Sequence, residues 1–352
     1  MKYINKFVEK IRNKKLLKYI LWKSGFSNAL VFSSSFIQKL YEKIFITPLF
    51  GKSRNVMHIW KPKNYLSTSS IYWKLVQLPM EKRGIYLPLP FNKIKDKAQF
   101  QTFHNEHLVL DKFMKKTNTQ IENVFVDIGA SDGVDMSNTF NLVLEDYKGF
   151  CFELDDSKFA KMATIYRDFH DINLFKMKIT PDNVSKILES LDLPEIIKVL
   201  NLDIDSYDYF VLEKLLNDFK FQFLILEINP IFPMSVDFAV EYDELLNWSG
   251  DSFQGASVSM FYKLLNKNGY SLIWIDRSFV LALNNNLITE EIKKIEPNEI
   301  DKIINRTLKE KDNYRWQRYK KIRTSSPEDV ISIVKEDFKN YKNFYIEKSN
   351  FT

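Results

Sequence analysis

The sequence predicts an α/β fold built on a Rossmann-like, doubly wound sheet of seven strands, mostly parallel and with the last strand antiparallel. Three observations predict it. Between residues 124 and 283, short apolar runs alternate with stretches of helical length, the pattern of βαβ units. The first apolar run stops at a glycine turn, Gly129–Gly133. The last two runs are separated only by Asp276-Arg277-Ser278, too short for a crossover helix, so the final strand must fold back antiparallel.

Taken in order, a helix is expected over Phe100–Lys116, with Phe103, Leu108, Leu110 and Phe113 available for burial. The expected strands are Val124–Ile128, Gly149–Leu154, Ile172–Lys178, Val199–Leu202, Phe221–Ile228, Ser271–Ile275 and Phe279–Leu283. Their unbroken apolar character fits strands buried on both faces. Helices are expected at Ser157–Asp168, Pro181–Leu191, Tyr207–Asn217 and Ser257–Asn268. Residues 98–289 therefore form the α/β domain. Residues 1–97 are expected to be a basic accessory region. Residues 290–352 are expected to be a helical, polar C-terminal extension, with Ser325-Ser326-Pro327-Glu328 as a helix start.

Charge divides the chain the same way. Residues 1–100 hold 20 Lys/Arg against 4 Asp/Glu, residues 101–290 hold 16 against 30, and residues 291–352 hold 15 against 11. A basic arm joined to an acidic middle suits docking of the arm on its own domain, with its remaining charge turned toward an anionic partner such as a membrane surface, an acidic glycan or nucleic acid. Ile4, Phe7, Val8, Ile11, Leu17 and Leu21 recur at helical spacing among basic residues, as in a helix resting on an anionic bilayer or on its own protein. There is no apolar run of about 18 residues, so no membrane-spanning helix is expected, and the Lys/Arg interruptions argue against a signal peptide. The single cysteine, Cys151, excludes an internal disulfide and lies in an expected buried strand. A cytoplasmic location is expected, peripheral at the inner membrane face if the basic helix meets lipid.

The chemistry-bearing residues gather at the carboxyl ends of the strands. Val126-Asp127-Ile128-Gly129-Ala130-Ser131-Asp132-Gly133 ends the first strand in a tight turn that brings backbone close to a ligand. A nicotinamide pyrophosphate wants Gly-x-Gly-x-x-Gly there. Ser131 takes the second glycine's place, which suits S-adenosylmethionine, a ligand without phosphate. Glu153 ends the second strand, where a carboxylate accepts from both hydroxyls of a ribose. Leu202-Asp203-Ile204-Asp205-Ser206-Tyr207-Asp208-Tyr209 ends the fourth strand, and Glu227-Ile228-Asn229 ends the fifth. Asp203, Asp205 and Glu227 have three readings: a general base for a hydroxyl acceptor, ligands for a divalent ion such as magnesium, or helix caps and loop acceptors.

These motifs resemble the FkbM-type methyltransferases, a class I family. The resemblance rests on Phe125–Gly133, Glu153, Asp203–Tyr209, Glu227-Ile228-Asn229-Pro230 and Gly255-Ala256-Ser257, and it spans roughly residues 98–288. It departs at Ser206, where relatives often carry glycine. It implies O-methylation of a sugar, polysaccharide or related small acceptor by S-adenosylmethionine. Asp127, Gly129, Ala130, Ser131, Asp132 and Gly133 are expected to cradle the cofactor's methionine end. Glu153 and Leu154 would hold the ribose side, and Ile179 and Thr180 would line the adenine. Asp203, Asp205 and Glu227 are the expected catalytic or metal-binding acids, and Tyr207 and Asn229 are expected at the acceptor.

Other features point elsewhere. Asn229-Pro230-Ile231-Phe232 is similar to an amine-binding box but follows the wrong strand. His104 and His107 lack a third metal ligand. Arg315, Trp316, Arg318, Tyr319, Lys320, Lys321 and Arg323 interleave charge with aromatic rings, as RNA-binding surfaces do. An RNA methyltransferase and a non-catalytic, membrane-associated scaffold on the same fold are the alternatives.

Overall fold

A computed structural model describes residues 106–117, 119–134, 137–167, 169–244 and 251–351. The expected basic helix, the accessory region of residues 1–97 and His104 lie outside them, as does the side chain of His107. The elements below belong to one compact unit, residues 102–133 with 137–352.

Helix α1 (Glu106–Thr117) precedes β1 (Val124–Ile128), α2 (Phe140–Leu144), β2 (Lys148–Glu153), α3 (Asp156–Tyr166) and β3 (Ile172–Lys176). Then come α4 (Val184–Glu189), β4 (Ile196–Leu202), α5 (Asp208–Asp218), β5 (Lys220–Glu227) and β6 (Val236–Val240). The chain continues through α6 (Val258–Lys267), β7 (Tyr270–Asp276) and β8 (Phe279–Asn284) to α7 (Pro297–Lys311), α8 (Asn313–Arg323), α9 (Pro327–Asp337) and β9 (Phe344–Lys348).

Seven strands form one sheet in the order β3-β2-β1-β4-β5-β8-β7. β1 pairs in parallel with both β2 and β4, while β8 runs antiparallel to β5 and β7. This is a Rossmann-like sheet: mostly parallel, with the last strand reversed by a hairpin. Reversal of the chain's winding between β1 and β4 leaves a crevice outside the strands' carboxyl ends. All five residues of β1 are buried, as expected of a central parallel strand.

Two features depart from the expected layout. β6 and β9 form a separate antiparallel ladder, with Phe238 opposite Ile346, and neither strand was expected. Residues 290–352 do supply three helices, yet they are not merely a polar extension. Ile300, Ile304, Leu308, Ile322, Val330, Val334 and Phe338 enter the same apolar core as β1, β4 and β5. Their four-residue spacing on α7 gives that helix one apolar stripe inside an otherwise charged sequence. Ser326 accepts from the Asp329 amide at the start of α9, with Pro327 in its first turn, as the sequence anticipates. No helix among the described residues is long and apolar enough to cross a membrane.

Candidate active site

The glycine turn is forced by close approach. Gly129 has φ +91°, and a Cβ there would lie 1.7 Å from the Asp203 carbonyl oxygen. The Asp203 amide in turn donates to the Ile128 carbonyl at 3.0 Å, so the tips of β1 and β4 are stitched together. Gly133 has φ +79° and faces the ring of Tyr166, whose hydroxyl donates to the Gly133 carbonyl. A side chain at either position meets both steric collision and a backbone region that L residues avoid. Ser131 nonetheless adopts φ 53°, which turns its amide inward.

That amide donates to Glu153 Oε2 at 2.8 Å, and the Asp155 amide donates to Oε1 at 2.6 Å. The acid ending β2 therefore stands beside the elbow ending β1. Leu154, next to it, is 50 % exposed, an apolar side chain kept at the surface beside a fixed carboxylate. Ile179 and Thr180 lie beyond β3, both buried. The Ile179 carbonyl accepts from the Tyr207 hydroxyl at 3.1 Å, and the Thr180 amide donates to Asn183 Oδ1 at 2.8 Å.

Asp127 points the other way. It is almost wholly buried; its Oδ1 accepts from Asn201 Nδ2 at 2.8 Å and its Oδ2 from the Thr139 hydroxyl at 2.5 Å. Asn201 is its cross-strand partner on β4, and Asn138 donates to Asn201 Oδ1 at 2.9 Å. Burial pushes the Asp127 carboxyl up to about 6, against the opposing effect of the Thr139 and Asn201 bonds. Almost wholly buried and held by Asn201 and Thr139, it braces the elbow from beneath. Ala130 and Asp132 are buried in the turn itself.

At the next strand tips, Asp203, Asp205 and Glu227 each bring one oxygen within 4.8 Å of the others. All three are half-buried. Carboxyl groups held this close disfavour one another's ionised form. Burial first, then repulsion from neighbouring carboxylates, holds Asp203 and Glu227 well above the usual carboxylate range. Burial also raises Asp205, countered by Lys158 and the Glu227 bond. Asp205 sits at φ 56°, a conformation favoured by glycine; here it is held by the loop after it. The Ser206 hydroxyl, where the resemblance departs, donates to the Ile204 carbonyl at 3.2 Å.

Two residues not singled out from the sequence shape this cluster. Asp208 is fully buried and accepts from the amides of Ile204 at 2.8 Å and Ser206 at 2.9 Å, which folds the loop carrying Asp203 and Asp205. Burial raises its carboxyl to about 6. Gln254 donates to Glu227 Oε1 at 3.3 Å, its position signalled in sequence only by the neighbouring Gly255-Ala256-Ser257. Asn229 and Tyr207 are both bonded within the protein. Asn229 donates to the Ser252 and Gln254 carbonyls at 2.9 and 3.0 Å, and its Oδ1 accepts from the Ile231 amide. It holds the loop that presents Gln254. Tyr207 is 3 % exposed, its hydroxyl bound to the turn after β3.

The interleaved basic segment is also partly internal. Arg323 donates to the carbonyls of Pro230 and Phe232, to Asn305 and to Asp301. Tyr319 is buried, and Trp316 is covered by Lys309, whose Nζ lies 4.5 Å from the ring centre. Cys151 is buried, and burial raises its thiol.

No protein-family profile matches the sequence, and no curated protein matches it. Solved structures that match include the N-terminal domain of EvdMO1, crystallised in the presence of SAH and D-fucose (8% identity, TM-score 0.33, 51% of this chain and 82% of that one). Another is magnesium protoporphyrin IX methyltransferase from Synechocystis PCC 6803 with bound SAM (10% identity, TM-score 0.31, 51% and 79%). A third is precorrin-6y C5,15-methyltransferase from Geobacter metallireducens GS-15 (13% identity, TM-score 0.31, 50% and 88%). The fold assignment rests on the strand order of the chain itself.

Proposed function

We propose that the chain transfers a methyl group from S-adenosylmethionine to a hydroxyl oxygen of a sugar, glycan or related small acceptor. One observation carries this reading: the Glu153 carboxylate stands 2.8 Å from the Ser131 amide, so the acid after β2 and the elbow after β1 share one crevice. In a sheet of this strand order, that pair fits the two ends of an adenosyl ligand. Exposed Leu154 beside Glu153 fits the flat, apolar face of adenine. The bare backbone at Gly129 fits the methionine end, since a Cβ would fill the turn.

The bound cofactor would supply an electrophilic methyl on a sulfonium. The chain's own residues would do the rest. Asp203, Asp205 and Glu227 form the reacting end in this reading, beyond the elbow and on the side away from Glu153's strand. A carboxylate with a raised pKa is the better proton acceptor near neutral pH, and burial, with repulsion from neighbouring carboxylates added to it, raises Asp203 and Glu227. One of them would accept the acceptor's hydroxyl proton, while Gln254 fixes the Glu227 oxygen it touches. The same three hard oxygens also suit a divalent cation such as magnesium, which would favour their ionised form. Alignment of the oxygen with the methyl and exclusion of water would supply most of the rate.

The inward seating of Tyr319 and Arg323 weakens the RNA alternative, which needs those groups at the surface. Calorimetric titration with S-adenosylhomocysteine tests the cofactor. Binding by the wild type and at least roughly tenfold weaker binding by Glu153→Ala are expected, the effect of losing a charge-assisted bond. A wild type that gives no heat would leave the non-catalytic scaffold as the better reading.

A further inference from the structure

We infer that Tyr341, in the turn between α9 and β9, is a positioning residue that holds the Gln254 amide against Glu227. Gln254 donates to Glu227 Oε1 at 3.3 Å from the connection between β6 and α6, so its place depends on what fixes its neighbours. On one side stands Gly255, at φ +53° and with nothing within 4 Å of the place a Cβ would take. Its carbonyl accepts from the Val240 amide at 3.0 Å, but a glycine lends the backbone little stiffness of its own. Fixing Gln254 needs a hold on its other side as well.

Tyr341 supplies that hold twice. Its hydroxyl donates to Asp251 Oδ2, while Asp251 Oδ1 accepts from the Phe253 amide at 2.8 Å. Its ring stacks on the buried ring of Phe253, with centroids 3.9 Å apart and planes 14° from parallel. Tyr341 thus grips two of the three residues before Gln254, and Asn229 grips the third, Ser252, by its carbonyl. Asn343 meets the other end of the same connection. Its Nδ2 donates to Asp243 Oδ2 at 2.5 Å, and its carbonyl accepts from the Glu241 amide at 3.0 Å. The nature of the donor matters too. A cation on Glu227 would lower its pKa and weaken it as a base, whereas an amide orients the carboxylate at less cost to its basicity. That use of Gln254 rests on the methyl-transfer reading; the hold exerted by Tyr341 does not.

The test is hydrogen exchange of glutamine side-chain amides, followed by NMR on the full chain carrying isotopically labelled glutamine. Gln254→Leu identifies one signal. Gln222→Leu identifies the control, an amide buried near the start of β5. Tyr341→Phe keeps the ring and removes the hydroxyl. The Gln254 amide should then exchange at least roughly tenfold faster, the effect of losing one hydrogen bond to a charged group, with Gln222 unchanged. Asp251→Ala removes the same bond from its other end and should give the same result, with no further change in the double variant. Wild-type exchange at Gln254 in Tyr341→Phe would overturn the inference, as would equal acceleration at Gln222. Tyr341→Phe should also bind S-adenosylhomocysteine as its parent does, because the hold acts on the acceptor side; weakened binding would count against it. A wild type that binds none would sink the methyl-transfer reading while leaving the exchange result to stand.

Discussion

Gly129 and Asp203 are in backbone contact across the tips of β1 and β4: the alanine methyl that Gly129 lacks would occupy the place of the Asp203 carbonyl, 1.7 Å away. The turn that shapes one end of the crevice and the strand tip that carries the first acid therefore form one object. Moving either displaces the other.

Gly129→Ala tests this contact. It adds overpacking and a positive φ at a residue with a Cβ, together costing about 2–4 kcal/mol. The expected result is a melting temperature lower by several degrees or more, with loss of S-adenosylhomocysteine binding. A variant that melts and binds like the wild type would show that the two strand tips are not in contact.

Asp127 sets a pH dependence. Its folded value of about 6 lies above the ordinary carboxylate value, so the native state holds a proton that the unfolded chain has released. Its contribution is fully present below about pH 4 and is lost as pH rises through 6, amounting to about 3 kcal/mol at most. Asp127→Asn keeps the acceptor for Asn201 and removes the charge. Melting temperatures measured from pH 4 to 8 should decline less steeply with rising pH in this variant. An unchanged slope would mean that the carboxylate is solvated.

Arg323 is a buried cation with four partners, one of them Asp301 at 2.6 Å. Arg323→Met takes the donor from two carbonyls and Asn305 and leaves Asp301 only the Met234 amide, at about 1–3 kcal/mol. Chemical denaturation should show the loss, and Arg323→Lys should recover little of it, because a point charge cannot serve the same fork. Full recovery by lysine would contradict the geometry.

Glu227→Gln separates chemistry from binding. If Glu227 belongs to the proton-accepting cluster, methyl transfer should fall by roughly 100-fold or more, while affinity for S-adenosylhomocysteine stays within about twofold. The readout is turnover against cofactor affinity in the same preparation. Parallel losses in both would assign Glu227 to the cofactor side.

Asp208→Ala removes the acceptor for the Ile204 and Ser206 amides, leaving buried donors unpaired at about 1–3 kcal/mol. The loop bearing Asp203 and Asp205 should loosen, seen as faster amide exchange at residues 204–206. Exchange at wild-type rates would show that the loop is held by something other than this carboxylate.

The seven strands of the main sheet, the hairpin and the elbow were legible in the sequence because each depends on local information. Apolar runs have the period of buried strands, three residues cannot cross over, and a glycine before a helix marks a turn. The positions of Glu153 and of the acids after β4 and β5 followed from strand ends. What the sequence could not decide was the direction in which side chains point and which distant segments pair. Asp127 and Glu153 both lie near the carboxyl ends of strands in the same sheet, yet Asp127 turns inward to Asn201 and Thr139 while Glu153 reaches Ser131. The β6–β9 ladder joins residues about a hundred positions apart, and no local period announces such a pairing. Arg323 reads as a surface cation in a basic run, and only packing of α8 against the loop after β5 makes it internal. Periodicity is a property of neighbours in the chain, so it fixes elements and their order; burial and partnership are properties of neighbours in space, and those only tertiary structure could assign.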